Sequence, residues 1–86
     1  MDDLTFSLLA GDDTREDLLV VGASLGTSVT ALWSRCAALL GDRYEVVGWD
    51  HPGHGRSRPA DGPFTVDELA RAVRERAVDL ARGRRA

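Results

Sequence analysis

Residues 20–28 read VVGASLGTS and contain three overlapping patterns that could do chemistry. In the first, residues 22–26 fit G-x-S-x-G, the turn that presents a nucleophilic serine, here Ser24. In the second, the glycines form the phosphate-binding turn after the first strand of a dinucleotide-binding fold. In the third, main-chain N–H groups of the turn bind the oxyanion that develops during acyl transfer. The residues that follow decide among the three.

A second glycine-rich segment, residues 50–57, reads DHPGHGRS. Gly53 and Gly55 permit the positive φ angles of a tight loop, and the side chains of Asp50 and Ser57 can bond nearby backbone groups. We therefore expect these four residues to form a structural loop that performs no chemistry.

Three other side chains, those of His51, His54 and Cys36, have types that could bind a metal or react. His51 and His54 form H-x-x-H, but an irregular loop without a third ligand is a poor metal site, so no metal is expected. Cys36 is expected in the core, on the apolar face of a helix. Trp33 has two conceivable roles, lining a substrate entrance or packing against the sheet, and packing is the one expected.

The dinucleotide hypothesis relies on a likeness to the opening of short-chain dehydrogenases. Asp50 ends the next strand, where an acid would bind the adenine ribose. However, Ser28 replaces the third glycine, β-branched Val29 and Thr30 follow it, and the chain beyond Asp50 enters a second glycine-rich loop. The nucleotide-binding half of a dehydrogenase therefore remains an alternative.

The nucleophile hypothesis needs an acid and a histidine on later strands, well separated from Ser24. The later candidates Asp50, His51 and His54 are crowded into one loop. This spacing disfavours Ser24 as the nucleophile.

The two segments together resemble the α/β-hydrolases, and most closely the 3-oxoadipate enol-lactonases. Residues 50–57 fit the D-x-x-G-x-G-x-S loop after the fourth strand of that family, and residues 62–70, GPFTVDELA, extend the likeness into the next helix. Residues 24–27 resemble the S-L-G-T form of the turn that supplies the oxyanion hole. The likeness covers about residues 5–83.

The resemblance implies that the backbone N–H of Leu25 donates to the substrate's carbonyl oxygen, and that Ser24, Leu25 and Gly26 contact the substrate. It implies hydrolysis of an enol-lactone to 3-oxoadipate by a serine nucleophile, without a metal or an organic cofactor. The nucleophile elbow, acid and histidine would follow residue 86. We therefore expect a fragment that is inactive alone. Some relatives are fused to a carboxymuconolactone decarboxylase, and a non-catalytic binding module remains a further alternative.

The patterning predicts an α/β fold with a mostly parallel sheet and flanking helices, and the resemblance implies that it is the incomplete N-terminal part of an α/β-hydrolase domain. An all-apolar run such as LLVV is typical of a parallel strand buried on both faces. Helix 30–40 follows from apolar residues at 32, 33, 36, 37 and 40. The partial domain spans residues 1–86, with strands near 5–9, 18–22 and 44–49 and helices near 30–40 and 65–82.

The last helix has clear start signals. Thr65 and Glu68 have the spacing of a capping box, and Phe64 and Leu69 have that of a hydrophobic staple. The elbow strand of the family would lie beside strand 18–22. Without it, that edge is expected to be unpaired and able to associate with another chain.

The composition narrows the function classes. The chain has 86 residues, one cysteine and a formal net charge of −3. Residues 71–86 carry six arginines against two acids, but no aromatic interleaving or recognition motif accompanies them, so no nucleic-acid binding is expected. No apolar run approaches the roughly 20 residues of a membrane helix. The acidic start and single cysteine predict a cytoplasmic protein. The resemblance to the α/β-hydrolases implies that the full-length protein acts on a small ester or lactone.

Overall fold

The computed structural model describes residues 4–23, 26–57, 59 and 62–86. Within these residues, three strands and two helices form an α/β arrangement, and each begins and ends within one residue of the expected bounds. Their order is β1 (Phe6–Ala10), β2 (Asp17–Gly22), α1 (Val29–Leu40), β3 (Tyr44–Trp49) and α2 (Val66–Ala81).

The strands form one sheet in the order β1-β3-β2. β2 is parallel to β3, with Leu19 opposite Val46, whereas β1 is antiparallel to β3, with Phe6 opposite Trp49. The expectation of a mostly parallel sheet is therefore wrong, because one pairing is parallel and the other antiparallel. The physical reason lies in the connections. Residues 11–16 simply reverse the chain after β1, whereas α1 is a crossover long enough to restore the strand direction.

The reversal after β1 is a compact polar turn. Gly11 has a φ of 72°, and an added Cβ there would lie 2.1 Å from the carbonyl oxygen of Tyr44. The Asp12 carboxylate accepts hydrogen bonds from the hydroxyl and the backbone N–H of Thr14, and these bonds lower the pKa of Asp12. The turn therefore both requires glycine and stabilises its own geometry.

Apolar residues fill both faces of the sheet, as the all-apolar run in β2 predicts. On one face, Val21 and Val46 pack with Val29 and Ala37 of α1. On the other face, Leu18 and Val47 pack with Ala81 of α2. The alternation along β2 and β3 thus places a helix on each side.

Helix α1 presents a different face to the sheet from the one expected. Val29 and Ala37 are fully buried and Trp33 packs beside them, whereas Leu32 is 51% exposed and Cys36 is exposed. The expectation that Cys36 lies in the core is therefore wrong. The Cβ of a residue replacing Gly48 would lie 2.4 Å from Val29 Cγ2, so close contact of Val29 with β3 fixes the rotation of the helix.

Helix α2 begins as its sequence predicts. Thr65 is the N-cap, and its hydroxyl accepts the N–H of Glu68 at 3.1 Å. The N-cap prediction is therefore confirmed. In a full capping box the Glu68 carboxylate would accept the backbone N–H of Thr65. Here it lies 3.3 Å from the Thr65 hydroxyl, which donates to it. The helix ends at Ala81, followed by the left-handed Arg82. Within the described residues, no helix is long and apolar enough to cross a membrane.

The segment after α2 returns to the outer edge of β2. Arg85 forms a parallel bridge with Asp17, and its carbonyl oxygen accepts the N–H of Leu18 at 2.8 Å. The Arg85 guanidinium also donates to both carboxylate oxygens of Asp17, at 2.9 and 3.0 Å. The start of the β2 edge is therefore paired, unlike the wholly unpaired edge expected. Residues 19–22 have no strand on that side within the described part of the chain.

Candidate functional site

The candidate site is the turn that connects β2 to α1 at the carboxyl end of β2. Gly22 ends the strand and Ser28 caps the helix, with its hydroxyl accepting the N–H of Ala31 at 3.1 Å. Gly26 has a φ of 83°, a conformation that strongly favours glycine, and an added Cβ there would meet no atom of the described residues within 4 Å. None of the described residues therefore covers the main chain at Gly26.

Two of the predicted site residues, Ser24 and Leu25, lie outside the described residues. The role of the Leu25 N–H as oxyanion donor stays a prediction. The structure instead describes what holds the turn on either side of these residues, and these contacts come from two other parts of the chain.

Asp50 fixes the helix side of the turn. Its side chain is almost completely buried, at 1% exposed. One carboxylate oxygen accepts the N–H of Val29 at 2.7 Å, and the other accepts the N–H of Arg56 at 3.1 Å. Val29 is the first residue of α1, where main-chain N–H groups lack partners in the helix and the helix dipole favours a negative charge. These bonds offset the cost of burying the carboxylate.

The loop 50–57 folds tightly around that carboxylate. Gly55 has a φ of 50°, and an added Cβ would lie 2.5 Å from the Asp50 carboxyl carbon, so glycine is required there for two separate reasons. Gly53 also has a positive φ, 74°. The Ser57 hydroxyl donates to the Asp50 carbonyl at 2.7 Å and accepts the N–H of Thr5 at 2.9 Å. The loop is thereby bound to the start of the described chain.

Two ring N–H groups fix the strand side of the turn. The indole N–H of Trp33 donates to the carbonyl oxygen of Gly22 at 2.7 Å. Nε2 of His51 lies 2.7 Å from the carbonyl oxygen of Ala23. A carbonyl can only accept, so His51 Nε2 carries the hydrogen in this contact. The ring of Trp49 meets the His51 ring edge-on, with centroids 4.9 Å apart.

His54 belongs to the loop rather than to the turn. Its Nδ1 lies 3.0 Å from the carbonyl oxygen of Pro52, and its ring centroid is 5.9 Å from that of His51. In the described ranges, no three His, Cys, Asp or Glu side chains are grouped to hold a metal ion.

The contact between His51 and Ala23 is not evident from the sequence, because the two residues are 28 positions apart. The Trp33 contact had a partial signal, since a packed tryptophan usually finds an acceptor for its indole N–H. The expected packing of Trp33 against the sheet is confirmed, and the hydrogen bond to Gly22 adds to it.

Comparison with known proteins gives one informative match. The chain is 36% identical over 55 residues to 3-oxoadipate enol-lactonase 2 of Acinetobacter baylyi. The match covers 64% of this chain and 20% of that protein, so the chain spans about a fifth of the length of the curated relative it matches. No protein-family model and no solved structure matches the chain. The match supports a relationship of α/β-hydrolase type and no finer assignment.

Proposed function

We propose that this chain forms the oxyanion-hole part of an ester- or lactone-hydrolysing site of α/β-hydrolase type. Its substrate is an enol-lactone of the kind that yields 3-oxoadipate, and its nucleophile comes from a polypeptide segment outside these 86 residues. The observation that carries the proposal is the way the turn is held. Hydrogen bonds from buried or half-buried side chains fix it on both sides, at Gly22, Ala23 and Val29.

A turn fixed in this way suits the chemistry of an oxyanion hole. When a serine attacks the ring ester, negative charge grows on the carbonyl oxygen, and a donor that is already in place stabilises it without reorganisation. In the proposed site that donor is the N–H of Leu25. Losing one such donor typically costs about 3–4 kcal/mol in the transition state. The proposed reaction consumes water and needs no metal or organic cofactor.

The position in the fold agrees with this role. The turn follows β2 and the loop 50–57 follows β3, and these two strands are parallel. Both segments therefore lie at the carboxyl edge of the sheet, where α/β proteins bind their ligands. Small or open positions, such as Gly26, leave room for a substrate to approach the main chain.

The dinucleotide alternative is disfavoured by the state of Asp50. A ribose-binding acid must offer free carboxylate oxygens to two hydroxyl groups. Both oxygens of Asp50 already accept main-chain N–H groups, from Val29 and Arg56, and the residue is 1% exposed.

The alternative in which Ser24 is the nucleophile is disfavoured by the length of the turn. A nucleophile elbow is a sharp strand-to-helix turn. Here β2 ends at Gly22 and α1 begins only at Val29, after a separate N-cap at Ser28. His51, a candidate base, uses its Nε2 hydrogen on Ala23.

A chimeric enzyme tests the proposal. The matched segment of the Acinetobacter baylyi enol-lactonase is replaced by the corresponding segment of this chain, and hydrolysis of the enol-lactone is followed. We expect a folded chimera with measurable turnover, and no turnover from this chain alone.

The control is a second chimera that contains the same segment with Gly55→Ala, a substitution that disrupts the loop around Asp50. A folded chimera without activity would contradict the proposal. Hydrolysis by this chain alone, lost in Ser24→Ala, would contradict it too and would restore Ser24 as the nucleophile. Binding of a protein or peptide partner by an inactive, folded chimera would favour the binding-module alternative.

A further inference from the structure

We propose that His51 is a positioning residue that sets the orientation of the peptide group preceding the predicted oxyanion donor. Its catalytic consequence rests on the proposed function, whereas its effect on the turn does not. The distance from His51 Nε2 to the Ala23 carbonyl oxygen, 2.7 Å, is at the short end of N–H···O hydrogen bonds.

The covalent chain carries this restraint towards Leu25. The carbonyl group of Ala23 and the N–H of Ser24 belong to one planar peptide unit, so fixing the direction of the carbonyl fixes the plane. Only the φ and ψ torsions of Ser24 separate that plane from the peptide unit that contains the Leu25 N–H. In the proposed site, the restraint from His51 therefore acts one residue before the Leu25 N–H.

The His51 ring is itself held in place. The Trp49 ring packs against it edge-on, with ring centroids 4.9 Å apart, and the centroid of the His54 ring lies 5.9 Å away. His51 directly follows Asp50 in the chain, and the Asp50 carboxylate accepts a hydrogen bond from the N–H of Val29. Adjacent residues of one loop therefore hold the two sides of the turn, His51 before Ser24 and Asp50 after Ser28.

A role limited to packing would be met by any side chain of similar size, whereas the proposed role needs an N–H donor. His51→Leu removes the donor, and His51→Gln keeps one, because the amide nitrogen of glutamine can donate as Nε2 does. The pair of variants separates the two explanations.

The first measurement needs no catalytic activity. The ¹⁵N shifts of His51 in the 86-residue chain report which ring nitrogen carries the hydrogen, and we expect Nε2. Hydrogen exchange followed by mass spectrometry then compares residues 23–28 with β3. We expect His51→Leu to speed exchange in the turn by about fivefold and leave β3 unchanged, and His51→Gln to restore it.

The second measurement uses the chimeric enol-lactonase. We expect His51→Leu to lower kcat by about 10- to 100-fold with little change in KM. The reason is that a misplaced donor stabilises the transition state less but does not alter binding of the substrate. We expect His51→Gln to keep most of the activity.

The proposal is overturned if Nδ1 carries the hydrogen, if exchange in the turn does not respond to His51→Leu, or if both variants behave alike. An inactive parent chimera would instead contradict the proposed function and leave the exchange result to decide the role of His51. Should His51→Leu fail to fold, two results still test the role of His51. These are the position of the hydrogen on its ring in the unmodified chain and the behaviour of the His51→Gln variant.

Discussion

The Asp50 carboxylate accepts the first N–H of α1, at Val29, over a distance of 2.7 Å and a separation of 21 positions. This bond joins the loop after β3 to the helix after β2. It explains why an acidic residue in a glycine-rich loop is 1% exposed. Its function in our account is to fix the far side of the turn that contains the predicted oxyanion donor.

Asp50→Asn should destabilise the fold by about 2–3 kcal/mol. The NH₂ group of asparagine would face one of the two main-chain N–H groups that the carboxylate now accepts, and that N–H would lose its acceptor. Asp42→Asn is the matched control, since Asp42 is exposed and should change stability by less than about 0.5 kcal/mol. Urea unfolding of both variants measures the difference. Equal effects at the two positions would show that the Asp50 bonds do not hold the fold.

Gly55→Ala should destabilise by more than about 1 kcal/mol, since a positive φ disfavours a side chain and the added Cβ would touch the Asp50 carboxylate. Gly62→Ala serves as the control because an added Cβ there meets no atom of the described residues within 4 Å. Thermal unfolding compares the two. A neutral Gly55→Ala together with a normal fold would contradict the described packing of the loop.

The ion pair between Arg84 and Glu45 should matter more than that between Arg82 and Asp13. The first has an N···O distance of 2.7 Å with side chains only 16% and 14% exposed, whereas the second has side chains 72% and 57% exposed. We expect Arg84→Met to cost about 3 kcal/mol and Arg82→Met less than about 0.5 kcal/mol. Similar costs in denaturant unfolding would be inconsistent with the burial of the Arg84 pair.

Association of the chain should depend on the free part of the β2 edge. The N–H of Leu18 points outward to Arg85, so by the alternation of a strand the N–H of Val20 also points outward and that of Val21 points to β3. Val20→Pro should therefore reduce association without breaking the sheet, whereas Val21→Pro should unfold it. Size-exclusion chromatography over a range of concentrations, with circular dichroism, measures both. A chain that is monomeric at every concentration would contradict this use of the edge.

The sequence predicted the elements well but not their arrangement in space. The all-apolar run LLVV predicts a strand and the capping signal at Thr65 predicts the start of a helix. Both predictions depend on local sequence alone, and both agree with the structure. Strand direction does not depend on periodicity, so the antiparallel pairing of β1 was missed. The burial of α1 was misjudged at Cys36 because contact with Gly48 sets the rotation of the helix.

The site was predicted in the same uneven way. The glycines of the loop 50–57 and the polar residues Asp50 and Ser57 follow from turn chemistry. The bond from His51 to Ala23 joins segments 28 positions apart, and no local pattern encodes such a contact. Tertiary contacts of this kind emerge only once the sheet brings the ends of β2 and β3 together.

The most direct test of the central claim compares Leu25→Pro, Leu25→Ala and Ser24→Ala in the chimeric enol-lactonase. Proline alone removes the main-chain N–H, and circular dichroism checks that each variant remains folded. We predict that Leu25→Pro lowers kcat by about 100-fold or more while the two alanine variants stay close to the parent. Loss of turnover in folded Ser24→Ala, or full turnover in folded Leu25→Pro, would contradict the assignment of this turn as an oxyanion hole.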